Sequence, residues 1–357
     1  MQVNKTEIKN FRNIKSMTFS PCGGVNVIFG ENAQGKTNII ESLWLFSGLK
    51  SFRGARDSEL ISFGESFSRL QMSFENSMRE NSAELLIEKK REAVFNGVKQ
   101  KSAAALIGKF SCVVFSPSFM SIIKDGPGER RKFTDAAICQ LKPAYAKLLS
   151  QYNRILQQRN SLLKDIQYDS ALLSLLDCID EKLAFTGEKI LIERKKYLDA
   201  LSPFVCDIYS GLSSGKEEIS FSYIKKDSPD GKTALIDALI ENRKKDIINK
   251  NTSSGPHRDD IDIRINGISV KSYGSQGQQR SCAIALKLGE AQIIKSETGE
   301  NPVILLDDVM SELDENRQDY ILNHISGRQV FISCCEPTQI LRLCSGKSFY
   351  IEKGEIR

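Results

Sequence analysis

Hydrophobic positions along this chain follow two periods, and the change between them divides it. Up to about Val114 and again from about Ile261, apolar runs are short and bounded by Gly, Asn or Pro, the mark of strands. Gln2 to Ile8 and Val25 to Phe29 are the first two, separated by the turn-rich Asn10-Phe11-Arg12-Asn13 and Pro21-Cys22-Gly23-Gly24. Arg69 to Glu75 and Ala83 to Lys89 alternate as antiparallel strands, Asn96-Gly97 predicts a type I′ hairpin, and Val113-Val114-Phe115 a short buried strand. From about Pro117 the period becomes helical. Leu148, Tyr152, Ile155 and Leu162 line one face of Ala144 to Leu163, and further apolar positions run from Leu172 to Leu201. Pro143 and Lys164-Asp165 stop the stripe too soon for a long coiled coil. A strand (Ile219 to Ile224), a helix (Thr233 to Ile248), a Ser/Gly linker (Asn249 to Pro256) and a hairpin (Ile261 to Ile265, Asn266-Gly267, Ile268 to Tyr273) follow. A helix bearing Ile284, Leu288, Ala291 and Ile294 then leads to a buried strand, Val303 to Leu306. The order predicts an α/β domain, 1–116 and 251–357, with a mainly helical second lobe, 117–250, inserted into it.

Composition narrows the class. At 357 residues, 40% hydrophobic and 27% charged, the chain suits two globular domains of about 150 residues each. No apolar run approaches the roughly 20 residues of a membrane span, and the polar Met1 to Asn10 has no signal-peptide core, so a cytoplasmic protein is expected. Nine cysteines without a C-x-x-C pair, beside two histidines, argue against a zinc site. A net charge of +5 is compatible with nucleic acid and does not establish it.

The chemistry concentrates first at Gly30-Glu31-Asn32-Ala33-Gln34-Gly35-Lys36-Thr37, a Walker A loop with a strand before it and an amphipathic segment (Ile39, Ile40, Leu43, Trp44) after it. Glycines let successive backbone N–H groups turn toward phosphate oxygens at a helix N-terminus. Lys36 then bridges the β- and γ-phosphates of ATP, and Thr37 holds Mg²⁺. Near the other end, Val303 to Leu306 runs into Asp307-Asp308 and Ser311-Glu312-Leu313-Asp314. An apolar strand ending in two acids is a Walker B arrangement: Asp307 serves the metal and Asp308 is the base for attacking water. Between them, Ser275 and Gly277 of Tyr273-Gly274-Ser275-Gln276-Gly277-Gln278-Gln279-Arg280 stand at a helix start, a second natural anion site.

Walker A, S-x-G-Q signature, Walker B and S-E-L-D loop, in that order, resemble an ABC-type P-loop ATPase head of the SMC kind. Asn10-Phe11-Arg12-Asn13, Phe115-Ser116-Pro117, Gly126-Pro127 with Glu129-Arg130-Arg131, Gln157-Gln158-Arg159-Asn160 and Gly255-Pro256-His257-Arg258-Asp259-Asp260 narrow the resemblance, over essentially the whole length, to the RecF family of bacterial recombination and repair ATPases. The resemblance implies an ATP-dependent homodimer in which each ATP faces the Walker A of one protomer, with Arg12 and Asn38 added to its contacts, and Ser275, Gly277 and Gln278 of the other. It implies a slow, DNA-stimulated ATPase, nucleoid-associated, that binds gapped, single- or double-stranded DNA and works with RecO and RecR to load RecA. Four positions depart from the wider pattern: Ala33 for glycine, Asp308 for glutamate, Ser333 near the expected switch histidine, and Ser118 for an acidic residue. Candidate phosphate contacts to DNA are Lys50, Arg53 and Arg56, then Arg130, Arg131 and Lys132, then Arg243 to Lys245, each also readable as a solvated charge. The alternative is the nucleotide-binding subunit of a membrane transporter, against which the long helical insertion speaks.

Overall fold

The chain opens on strands β1 (Gln2–Phe11), β2 (Ile14–Phe19) and β3 (Val25–Phe29), then helix α1 (Lys36–Leu45). Strands β4 (Ser68–Glu75), β5 (Glu80–Ile87), β6 (Arg91–Phe95), β7 (Val98–Lys99) and β8 (Cys112–Phe115) follow. The structure is a computed structural model that describes residues 1–166, 168–226, 234–336 and 346–357, Ser170 without its side chain. Two units divide it: Met1–Phe119 with Ala283–Arg357, and Met120–Cys282.

The second unit carries α2 (Ser121–Lys124), α3 (Pro127–Leu141), α4 (Pro143–Asp165), the 41-residue α5 (Leu173–Ser213), β9 (Ile219–Ile224), α6 (Leu235–Glu241) and α7 (Arg243–Asn249). Then come β10 (Asp260–Ile265), β11 (Ile268–Ser269) and α8 (Val270–Tyr273). Helix α9 (Gln276–Thr298), β12 (Val303–Asp307), α10 (Glu315–His324), β13 (Val330–Cys334), β14 (Gly346–Glu352) and β15 (Glu355–Ile356) complete the chain.

In the first unit, a mostly parallel sheet runs in the order β15-β14-β3-β13-β12-β8 and an antiparallel sheet in the order β2-β1-β4-β5-β6-β7. The two read differently in sequence because they are buried differently. Every residue of β8, β12 and β13 is buried, hence unbroken apolar runs, whereas β4 and β5 bury alternate residues and keep one wet face. Helix α1 shares one core with both: Ile39, Ile40 and Leu43 lie in the cluster that contains Phe11, Ile14 and Leu70 on one side and Ile28, Leu305 and Phe331 on the other. Asn96 and Gly97 both take positive φ, 49° and 77°, as the type I′ hairpin requires.

Residues 251–282 belong to the helical unit, not to the returning head where the sequence pattern places them. The reason is pairing: β10 bonds along its whole length to β9, so the hairpin completes a three-stranded sheet of the second unit. Its second arm is only β11, since the chain turns into α8 at Val270. The expected helix from 233 to 248 is two helices, broken at Asn242, whose Nδ2 donates to the Ala238 carbonyl at 2.9 Å. Thr233 lies outside the described residues. On α4 the buried stripe is Tyr145, Tyr152, Ile155, Arg159 and Leu163, which leaves out the expected Leu148 and Leu162.

Arg159 in that stripe is fully buried. Its Nε donates to Asp180 at 2.6 Å, and its Nη1 to Asp246 at 2.6 Å and to Thr252 at 3.0 Å. Thr252 also binds Asn160, and the loop that follows is held residue by residue. Arg194 donates to the Pro256 carbonyl at 2.6 Å, Tyr152 meets His257 Nδ1 at 2.7 Å, and Arg258 reaches back to the Thr252 carbonyl. Arg159 and Asn160 of Q-Q-R-N and Arg258 of G-P-H-R-D-D therefore meet through Thr252 in a polar core, with Gln157 and Gln158 exposed outside it, and charge there is held by charge-assisted hydrogen bonds.

Burial pushes the His257 imidazole down to about 4, with Arg258, Arg131 and Arg159 adding repulsion against the hydrogen bond to Thr252. The folded state thus takes this proton less readily than the unfolded chain, whose imidazole titrates near 6.5. Stability from the neutral ring is complete above pH ~6.5 and is lost as pH falls toward about 4. Denaturant melts should show about 3 kcal/mol lost over that window, and His257→Gln should flatten the slope. An unchanged slope in His257→Gln would assign it to other groups.

Candidate nucleotide-binding site

Strand β3 ends at Phe29, and the chain turns at Gly30 with φ 149°, where an added Cβ would lie 2.3 Å from the Ile351 carbonyl oxygen of β14. Only glycine lets the loop leave the sheet there. Ala33 takes φ 65°, a left-handed conformation that costs a residue with a Cβ roughly 1 kcal/mol. Gly35 (φ 114°) precedes α1, with Asn13 against it and Asn38 donating to Asn13 Oδ1 at 2.7 Å. Gln34 is held from the far end of the chain: Lys353 N–H donates to its side-chain oxygen at 2.6 Å and Gly354 N–H to its carbonyl at 3.0 Å. Nothing in the motif announces that support.

Lys36 is buried, and its Nζ donates to the carbonyls of Gly30 (2.7 Å) and Glu31 (2.8 Å), spanning the loop it closes. Thr37 Oγ1 donates to Asp307 Oδ1 at 2.8 Å. Glu31, Asn32 and Ala33 are exposed on the loop's outer side. Cys335, past the end of β13, lies 3.7 Å from Lys36 Nζ, and its thiol donates to Asn32 Oδ1 at 3.1 Å.

Of the Walker B acids, Asp307 ends β12, the strand beyond β13, and Asp308 follows it. Parallel registers align β3, β13 and β12 with Ile28 beside Ser333 and Ser333 beside Asp307, so all three carboxyl ends open at one edge. Ser333 Oγ donates to Asp307 Oδ1 at 2.8 Å. Burial pushes the Asp307 carboxyl up from the usual carboxylate range, opposed by the hydroxyls of Ser333 and Thr37. Asp308 takes φ 53°, with its N–H on Ser333 Oγ at 3.0 Å and its Oδ1 accepting from Ser311. Ser333 is buried against both acids, so the strand-end residue that faces the Walker A loop is Cys335 instead. Ser118 is exposed, its hydroxyl 2.8 Å from that of Ser116.

On α1, the fully buried Glu41 takes Arg12 in a bidentate pair, both contacts 3.0 Å, together with Ser51 and, at 3.5 Å, Arg53. Arg53 also donates to Asn38 at 3.1 Å. Glu41 thus fixes two cations near the loop, and sequence inspection missed it because an acid on an amphipathic helix reads as solvated.

In the second unit, Ser275 caps α9 reciprocally: Gln278 N–H donates to Ser275 Oγ at 3.2 Å, and Ser275 N–H to Gln278 Oε1 at 2.8 Å. Gln278 Nε2 donates to Glu217 at 2.7 Å, and Tyr209 holds the other Glu217 oxygen at 2.6 Å. Gln278 thereby shapes its own loop, with Gly277 beside it on the first turn. Among the candidate DNA cations, Arg130 drops out, being buried in a two-contact pair with Asp260. Arg243 is tied to Asp177 and Asp180, Arg56 has the Glu59 carboxylate on its backbone N–H at 2.8 Å, and Lys50 is exposed.

The donor set suits a magnesium nucleotide: a hydroxyl and a carboxylate oxygen 2.8 Å apart, beside a lysine and a loop of backbone N–H groups. Fold and site together define an ABC-type P-loop ATPase head of the SMC kind. The pattern described as "RecF/RecN/SMC N terminal domain" matches residues 2–344. The DNA replication and repair protein RecF of Clostridium perfringens (strain 13) is 41% identical over 338 residues, 94% of this chain and 93% of that protein. RecF of Agathobacter rectalis is 38% identical over 360 residues, 100% and 99%. A solved structure of RecF with ATP, from the RecFOR pathway, superposes with TM-score 0.93 at 37% identity, covering 100% of this chain and 97% of that one. An Smc head bound to ScpA, at 15% identity and TM-score 0.58, shares the fold. The chain belongs to the RecF family, and the transporter alternative is not favoured.

Gly30→Ala should displace the loop from Ile351 and weaken nucleotide binding at least about tenfold by isothermal titration. Wild-type affinity in that variant would show that the loop does not need its close approach to β14.

Proposed function

We propose that this protein is an ATP-dependent DNA-binding protein of recombinational repair that dimerises on ATP, binds gapped, single- or double-stranded DNA, and acts with RecO and RecR to load RecA. The observation that carries the reading is the contact of Thr37 with Asp307, which joins Walker A to Walker B at one sheet edge. Family membership supports the repair role; the solved RecF–ATP relative supports the nucleotide.

Lys36 would leave the Gly30 and Glu31 carbonyls for β- and γ-phosphate oxygens. Thr37 and Asp307 would hold Mg²⁺, which neutralises developing phosphate charge when bound. Asp308 would accept the proton of the attacking water. Arg12, anchored by Glu41, and Asn38 would add contacts from the same protomer. Ser275 and Gly277 would meet the nucleotide of a second copy through the N-terminus of α9, their loop kept in shape by Gln278 and Glu217. Asp308 is one methylene shorter than the glutamate usual there, and slow turnover follows from that reading; stimulation by DNA and the timing of release rest on family membership. The reaction would belong in the cytoplasm, at the nucleoid.

Lys36→Ala should abolish nucleotide binding, whereas Ser275→Arg should bind ATP normally and fail to dimerise on it in sedimentation. Dimerisation of Ser275→Arg with ATP would sink the composite site. A labelled gapped DNA at one fixed salt should bind more tightly with ATP than with ADP or without nucleotide. Equal binding in all three states would separate DNA binding from the ATP cycle.

A further inference from the structure

We propose that Ser333 is a positioning residue for the Walker B pair, its one hydroxyl setting both the metal-facing oxygen of Asp307 and the turn that aims Asp308. The proposal rests on the reading of Asp307 as a metal ligand.

The placement is dictated by the sheet. Parallel β12 and β13 pair Asp307 with Ser333 directly, so their side chains rise from the same face. Both are buried, and a serine is small enough to lie under the carboxylate.

The hydrogen bonds have one consistent direction. A serine hydroxyl has a single proton, and here it goes to Asp307 Oδ1 at 2.8 Å; the oxygen lone pairs then receive the Asp308 N–H at 3.0 Å. Thr37 donates to the same Oδ1, also at 2.8 Å. Two donors on one oxygen lock the carboxylate plane, and among the described residues the second oxygen, Oδ2, is the one left to face a cation. Mg²⁺ demands near-ideal octahedral geometry, so a carboxylate free to rotate is a poorer ligand.

The second contact bears on Asp308. Its φ of 53° is one a residue with a Cβ rarely adopts, and the N–H of such a residue needs an acceptor that fixes the turn. Without the hydroxyl, that N–H keeps only the Ser333 carbonyl at 3.3 Å. One side chain on the neighbouring strand thus serves the metal acid and the water-facing acid together.

The test is Mn²⁺ titration, by electron paramagnetic resonance, of the full-length protein with a non-hydrolysable ATP analogue. Wild type, Ser333→Ala, Ser333→Thr and Asp307→Asn are compared, with nucleotide affinity in EDTA and melting temperature measured alongside. Ser333→Ala should weaken Mn²⁺ about 10- to 100-fold with melting and EDTA affinity unchanged, and Ser333→Thr should return it to within about threefold of wild type. Wild-type Mn²⁺ affinity in Ser333→Ala, with Asp307→Asn impaired, overturns the proposal. So does an equal loss in Ser333→Thr, which would mean packing and not the hydroxyl. If Asp307→Asn also binds Mn²⁺ normally, the metal reading of Asp307 fails and the proposal falls with it.

Discussion

Thr37 and Asp307 lie 270 residues apart, and their hydrogen bond exists only because β3, β13 and β12 run parallel with their carboxyl ends at one edge. That register is the constraint from which the rest follows. It places the Walker A loop, Ser333 and the two acids within one hydrogen-bonded group, and it obliges β12 and β13, buried along their whole length, to be mainly apolar. Helix α1 serves the same constraint. Its apolar residues join the cores under both sheets, so the loop it caps is held by packing as well as by hydrogen bonds.

What was legible in the sequence has a physical pattern. Glycine spacing, a lysine and a paired acid are local requirements of phosphate and metal chemistry, so Lys36, Thr37, Asp307 and the Ser275 loop stand out without a fold. Partners contributed from elsewhere do not. Glu41 reads as a solvated helix acid until Arg12 and Arg53 close over it, and Lys353-Gly354 reads as an ordinary turn until it meets Gln34. Arg130 reads as a surface cation because periodicity does not show which strand faces it; Asp260 of β10 does. The hairpin after Pro256 is legible as a hairpin, but its pairing with β9, which moves it to the helical unit, is a matter of sheet order that alternation cannot encode.

The helical unit shows a different economy. Arg159 and Asn160, and Pro256 to Arg258, are polar segments whose contacts run to Thr252 and to side chains of α4, α5 and α7. A buried ion group of this kind adds less stability than apolar residues of the same volume and loses much when one partner is removed. It also has few alternative arrangements, because Arg159 Nε and Nη1 and the Arg194 guanidinium have acceptors in fixed directions. The unit is thereby given a specific geometry more than a high stability, a suitable trade where a loop such as Ser275 to Gln278 has to keep its shape.

The position of β3 has a consequence for biosynthesis. Its two ladder neighbours, β13 and β14, lie about 300 residues downstream, so the strand that carries the phosphate loop leaves the ribosome long before either can pair with it. Through most of translation it is an apolar segment with both edges open, while the antiparallel sheet, built from near neighbours, can already form around it. The nascent chain is therefore most exposed to aggregation at the segment it later uses to hold nucleotide, and its demand for chaperones should end when β14 emerges.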